Sequence, residues 1–195
     1  MTTHSSGKDR TPARRAVPTL LAVGLLLLIA WLLLAIGPLD HQPYPQPLNS
    51  DGPTSIAIPA IGVQAPIVPV GLHNGAMQTP NRGQVGWYRL GPRPGAPGPA
   101  VLIGHVDNHT GPDVFYRLRQ LRPGDQILIS QADGTTSRFL VGRLEQHPKT
   151  ALPTSRIWTT ATRPLLRLIT CSGSYNHTTH HYRDNLIVYA SPTGN

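Results

Sequence analysis

QILISQADGTTSRFLVGRL, residues 126–144, decides the fold. Ile127-Leu128-Ile129 and Phe139-Leu140-Val141 are apolar runs too short for helices, and Asp133-Gly134 lies between them. Asp and Gly tolerate positive φ, so Asp-Gly between two apolar runs is a strong hairpin signal. Upstream, Arg122-Pro123-Gly124-Asp125 reads as a turn that opens the first of these strands. Working outward, period-2 alternation and short apolar runs recur. They predict strands at Ser55–Ile58, Ile67–Val70, Ala100–Gly104, Gln126–Ser130, Ser137–Leu144, Leu165–Thr170 and Leu186–Ala190. One short helix is predicted in this part of the chain, Asp113–Leu121, where Val114, Leu118 and Leu121 share a face. Gly91–Pro99 (GPRPGAPGP) reads as neither helix nor central strand. The expectation is an all-β unit of seven or eight short antiparallel strands, a closed barrel or a sandwich; periodicity does not choose between them.

The amino end differs in kind. Residues 16–39 carry no charge, and Leu20–Ile36 (LLAVGLLLLIAWLLLAI) is apolar throughout, close to the ~20 residues that cross a bilayer as a helix. Lys8, Arg10, Arg14 and Arg15 precede it against Asp9 alone, which predicts a cytoplasmic amino end with the rest of the chain outside. Cleavage of a signal peptide is the competing reading, but Pro38 would follow the small-x-small site Ala35-Ile36-Gly37. The expected organisation is therefore a basic cytoplasmic tail (1–15), a single-pass anchor in the plasma membrane (16–37), a Pro-rich linker (38–53) and an extracellular folded domain (54–192). The linker's prolines, Pro38, Pro43, Pro45, Pro47 and Pro53, favour extended polyproline-II conformations.

The chain has 195 residues, 19 of them Gly and 21 Pro, with 17 Lys plus Arg against nine Asp plus Glu. Its basic residues are scattered, with no stripe or recognition helix, which argues against nucleic acid as partner. A single cysteine excludes an internal disulfide and zinc sites of the CxxC…CxxC type.

Three segments carry reactive groups. In Leu165–Gly173 (LLRLITCSG) apolar residues carry a strand to Thr170 and Gly173 breaks it, so Cys171 sits at a strand exit, a rigid mount. Alone, it is equally a small buried hydrophobe. In Val101–Asp107 (VLIGHVD), His105 follows Gly104 at another strand end; it can be a base, an acid, a metal ligand or a satisfied loop histidine. In His181–Tyr189 (HYRDNLIVY), Arg183 precedes a strand; alone, it reads as a solvated charge. If the strands flanking the intervening loop pair antiparallel, Cys171 and Arg183 share one end of the sheet. A cation beside a thiol favours the nucleophilic thiolate. Imidazole can protonate a leaving amine, and guanidinium can hold an oxyanion. Cys, His and Arg together describe acyl transfer through a thioester.

These motifs resemble those of the sortases, membrane-anchored cysteine transpeptidases of Gram-positive bacteria. The resemblance rests on Leu168-Ile169-Thr170-Cys171, on Gly104-His105 and on Tyr182-Arg183-Asp184-Asn185. Ile58-Pro59-Ala60-Ile61-Gly62-Val63 with Ala65-Pro66-Ile67 is similar to the family's opening strand. Gly83–Tyr88 and Gly104–Pro112 look closest to the actinobacterial class E/F group, most like class F. The resemblance implies an eight-stranded sortase β-barrel in which Cys171 attacks the Thr–Gly bond of an LPXTG-like signal on a secreted protein. His105 would be the general acid/base, and Arg183 would hold the substrate carbonyl and oxyanion. An amine of a cell-wall precursor, or water, would resolve the acyl-enzyme. No cofactor or metal is implied, and Asp107, Asp113 and Asp184 are too dispersed for the calcium cluster of some class A members.

Two other readings stay open. An L,D-transpeptidase would carry Arg two residues after Cys, whereas Ser172-Gly173 follow Cys171 here. A non-enzymatic envelope- or metal-binding module would use His177, His180 and His181; those three read instead as a solvated histidine-rich loop.

Overall fold

A computed structural model of the chain describes residues 52–193. The predicted basic tail, anchor and nearly all of the linker lie outside the described residues. Among the described residues no helix is long and apolar enough to cross a membrane.

The strands are β1 (Pro53–Ile58), β2 (Val63–Val70), β3 (Leu72–His73), β4 (Ala76–Met77), β5 (Val85–Tyr88), β6 (Gly98–Ile103), β7 (Asp107–Asn108), β8 (Gly111–Pro112), β9 (Gln126–Gln131), β10 (Thr136–Pro148), β11 (Pro164–Asn176) and β12 (His181–Pro192). Eight of them close a barrel in the order β1-β2-β5-β6-β11-β12-β10-β9, while β3–β4 and β7–β8 are separate two-stranded ribbons. The Asp133-Gly134 hairpin forms as expected: Gly134 has φ of 82°, and Asp133 Oδ1 accepts from the Thr135 N–H at 2.8 Å and the Thr135 hydroxyl at 2.6 Å.

The interior follows the period-2 pattern. Ile56 and Ile58, Ala100 and Leu102, Ile127 and Ile129, Phe139 and Val141, Leu166 and Leu168, and Leu186, Val188 and Ala190 fill one cluster, capped by Phe115, Leu118 and Leu121. The intervening residues of β6, β11 and β12 face outward. There Val101, Ile187 and Tyr189 pack with Ile157, and with the partly buried Met77, Tyr88, Ile103, Leu152 and Ile169. Arg167, on this outer face, is only 5% exposed. Its guanidinium lies 4.7 Å from the Tyr189 ring centroid and donates to the Leu166 carbonyl at 3.0 Å. Burial pushes its pKa below the ordinary arginine value.

Three expectations are corrected. The strands are not all antiparallel: β2 pairs β5, and β6 pairs β11, in parallel. Each parallel pair is joined by a long crossover that local alternation does not reveal. Residues 113–121 form no α-helix but turns and a 3-10 turn at Leu118–Gln120. The Phe115 N–H is taken by the His105 carbonyl, and the Tyr116, Leu118, Gln120 and Leu121 N–H groups each bond three residues back. The one α-helix among the described residues is Thr154–Ile157. Finally, Gly98-Pro99 enters β6, a central strand. The Gly98 and Gly104 N–H groups point at β11, so the position of Pro99 that lacks an N–H points toward β5. There pairing begins only at Leu102, and no ladder bond is lost.

Candidate active site

The site is assembled by register. Ile169 pairs Ile103 on β6 and Ile187 on β12, a row of three isoleucines on the outer face. Two residues further along each strand stand His105, Cys171 and Asn185, the last two being partners. Alternation carries all three, and Arg183 two positions earlier on β12, to the same outer side. Cys171 therefore lies on the middle strand, with His105 beyond one neighbour and Arg183 on the other.

Local contacts fix the two strand ends. The Gly104 N–H donates to the Ile169 carbonyl at 3.2 Å, and the Thr170 hydroxyl donates to the Gly104 carbonyl at 2.8 Å. A Cβ at Gly104 would meet Phe115 Cδ2 at 2.7 Å, so the close approach of the buried Phe115 requires glycine there. His105 Nε2 lies 3.0 Å from the Pro80 carbonyl oxygen. A carbonyl only accepts, so Nε2 carries the proton, and Nδ1 is the nitrogen left to exchange one.

β11 does not end at Cys171 as expected but runs on to Asn176, with Gly173 bulging the strand rather than breaking it, and Arg183 lies inside β12 rather than before it. Beyond Cys171 the β11–β12 pairing shifts. Ser172 pairs Asp184 and the next pair is Tyr175 with Tyr182, so Gly173 and Ser174 both oppose Arg183. Gly173 has φ of 77°, the conformation of a bulge that needs glycine. The Asp184 carboxylate accepts from Gln146 Nε2 at 2.6 Å, and Gln146 Oε1 accepts from the Ser172 hydroxyl at 3.1 Å.

Cys171, the free thiol, is half-buried. It and His105 line one cleft of about 510 Å3, together with His109, Lys149, His180 and His181. A second cavity of about 80 Å3 touches Cys171 from the side of Gly173, Tyr116 and Arg119. Asp107 and Tyr182 line both cavities. The Tyr182 hydroxyl donates to Asp107 Oδ2, and that bond, then burial, pushes the phenol up to about 12. Asp113, which supports the loop after His105, is held below the usual carboxylate range. Burial alone would raise it, but N–H bonds from Gly83 and Val114 and the Asn108 amide outweigh that.

Of the three residues expected from the sequence, the cleft joins Cys171 and His105. Arg183 is exposed and not among its lining residues; strand alternation places it on Cys171's side beside the bulge. The histidine-rich loop is exposed as read, yet His180 and His181 also line the cleft. Among the described residues no three His, Cys, Asp or Glu side chains group as a metal site. Lys149 and Tyr182 were not anticipated as site residues. Only a β10 running to Pro148 and a β12 starting at His181 bring them there, and both ends lack apolar alternation.

The closed barrel carries a free cysteine on β11 and a histidine just past the end of the neighbouring β6, an arrangement that can support acyl transfer through a thioester. The sortase domain model matches residues 56–193, and the chain belongs to the sortase family, a family of cysteine transpeptidases. Among solved structures it is similar to sortase C-1 from Actinomyces oris, at 26% identity over 73% of this chain and 74% of that one, with a TM-score of 0.58. Sortase A from Corynebacterium diphtheriae is 21% identical over 74% of this chain and 61% of that one, also with a TM-score of 0.58. Sortase A from Listeria monocytogenes is 16% identical over 75% and 89%, with a TM-score of 0.57. These last two likenesses are of fold. A comparison with curated proteins found no match.

Proposed function

We propose that this protein is a membrane-anchored transpeptidase of the class E/F type, most like class F, acting outside the cell on secreted proteins that bear a C-terminal LPXTG-like sorting signal. The observation that carries the reading is that Cys171 on β11 and His105, just past the end of the neighbouring β6, line one cleft. Cys171 Sγ attacks the Thr carbonyl carbon as the thiolate; a C–S bond forms and the carbonyl electrons move to oxygen. Arg183 donates to that oxyanion. The intermediate collapses, the C–N bond to Gly breaks, and His105 Nδ1–H supplies the leaving amine's proton. An acceptor amine of a cell-wall precursor, or water, then attacks the thioester, gives its proton to His105, and releases the thiolate. The apolar outer face around Ile103 and Ile169 suits the Leu-Pro end of the signal. No cofactor enters these steps.

The test is to incubate the protein with candidate sorting peptides and weigh the intact chain. The expected adduct is the peptide acyl part on Cys171, absent in Cys171→Ala. A Cys171→Ala variant with normal turnover overturns the reading. The anchor is tested by fractionation: recovery of a soluble form beginning near Pro38 would replace it with signal cleavage.

A further inference from the structure

We infer that the cleft beside Cys171 selects an acceptor amine carried by an anionic molecule, and that Lys149 is the residue that reads the anion. This rests on the transpeptidase reading above and names the class of its second substrate.

The surroundings of Cys171 are chemically two-sided. Back along β11 the outer face is apolar, with Ile169 flanked by Ile103 and Ile187. Forward of the thiol the cleft is polar and rich in histidine. Lys149 enters from the end of β10, His180 and His181 from the β11–β12 turn, and His105 and His109 from the loop after β6. One carboxylate, Asp107, lines it, and that group already accepts the Tyr182 hydroxyl.

Lys149 has no carboxylate within ion-pair distance among the described residues. The acid nearest to it in sequence, Glu145, is occupied by Arg143 at 2.8 Å, His147 at 2.9 Å and Arg156 at 3.3 Å. Lys149 is one of two lysines in a chain with 17 basic residues. An ammonium without an ion-pair partner, on a flexible stem in a cleft whose one carboxylate already accepts the Tyr182 hydroxyl, is a point-charge receptor for a carboxylate or phosphate.

Chemistry assigns the cleft to the acceptor. The acyl part of a sorting signal occupies the apolar side, so the leaving amine departs on the polar side. By microscopic reversibility the incoming amine takes the same place. Its nitrogen forms the new C–N bond, its proton goes to His105, and the C–S bond to Cys171 breaks. An anion a few bonds from that nitrogen then falls within reach of Lys149, His180 and His181.

The experiment uses the purified full chain and one sorting peptide that yields the Cys171 adduct. Acceptors are compared in pairs that share an amine and differ in charge: glycylglycine against glycylglycine amide, and phosphoethanolamine against ethanolamine. The measured quantity is kcat/KM for amide product, taken as the ratio within each pair. The expected ratio is about two- to five-fold in favour of the anion in at least one pair, the size of an exposed ion pair. Which pair responds separates carboxylate from phosphate. The preference should vanish in Lys149→Met and persist in Lys149→Arg. Ratios near one in both pairs, or a preference that Lys149→Met leaves intact, overturn the inference. Failure of the transpeptidase reading itself is seen separately, as absence of the Cys171 adduct before any amine is added.

Discussion

Gly173 is where the backbone of the candidate site is most tightly specified, and a four-protein cycle with Asp184 tests why. The φ of 77° costs a residue with a Cβ about 1–2 kcal/mol. An alanine Cβ would also run into Asp184 Oδ2 and stand 2.8 Å from its Cγ. That carboxylate is tied to Gln146 at 2.6 Å, so it yields only by giving up its hydrogen bond; such overpacking costs about 1–3 kcal/mol. Gly173→Ala should therefore destabilise by about 2–5 kcal/mol. Asp184→Ala removes the two closest atoms, leaving only the residue-184 Cβ at 3.1 Å, but does not remove the backbone strain. In the Asp184→Ala background the same glycine substitution should cost only about 1–2 kcal/mol. The coupling, about 1–3 kcal/mol, is read by urea unfolding of the four proteins followed by tryptophan fluorescence, since Trp87 is a buried reporter. Additive costs, with a coupling under about 0.5 kcal/mol, would refute the packing of Asp184 against the bulge. The cycle also reports on function, because Gly173 and Ser174 oppose Arg183. Turnover of a sorting peptide should fall in Gly173→Ala beyond the loss of folded protein. Wild-type kcat/KM for the folded fraction would show that the bulge does not position Arg183.

Glu145 is held down at about 2: burial alone would raise it, but bonds from His147 and Arg143 and the Arg156 charge outweigh that. A lowered carboxylate contributes stability that is present above its ordinary value of 4.5 and lost as pH falls toward 2. The Tm advantage of wild type over Glu145→Gln should shrink across that window; a constant difference would count against the network. Tyr182 has the opposite sign: a phenol raised from 10 to about 12 stabilises fully below pH 10, and its contribution drains away toward pH 12. Tyr182→Phe should be less stable than wild type at pH 8 and converge on it by pH 12, as read by denaturant midpoints. Arg183→Lys keeps the charge but loses the planar fork, so kcat/KM should drop about a hundredfold, the scale of a lost oxyanion donor; a wild-type rate would reduce Arg183 to a diffuse charge. His105→Ala should flatten the pH–rate profile of the same assay, and an unchanged profile would move the acid/base role elsewhere.

What the sequence disclosed about the fold was what period-2 alternation encodes. The seven predicted strands all lie within or overlap barrel strands, because each has one face in the Ile56–Phe139–Leu168–Val188 core. Alternation is silent on partners, so the parallel pairs β2–β5 and β6–β11 went unforeseen. It also misled at residues 113–121. Val114, Leu118 and Leu121 have helical spacing, yet a 3-10 path with its Phe115 N–H on His105 buries Phe115 and Leu118 completely. The apolar spacing records which residues are buried, and two backbone paths bury them.

The candidate site divides along the same line. Cys171 and His105 were legible because each follows an apolar run near a glycine, but Gly173 bulges β11 instead of ending it, so Cys171 stands inside the strand and not at its exit. Their proximity was not, since it depends on β6 and β11 being parallel neighbours, a relation between segments some sixty residues apart that no local pattern carries. Arg183 was placed by assuming that β11 and β12 pair antiparallel, and they do. The bulge at Gly173 then alters that pairing by one residue exactly where the arginine sits opposite. Lys149, Tyr182 and the two cleft histidines lie on polar strand extensions or turns, where side chains meet only because the barrel has already closed. A sequence read for reactive residues finds the candidate nucleophile and its candidate base. The residues that choose what reaches them are set by tertiary geometry, and for that reason the acceptor preference of Lys149, rather than the role of Cys171, is the measurement in which this structure says most beyond its sequence.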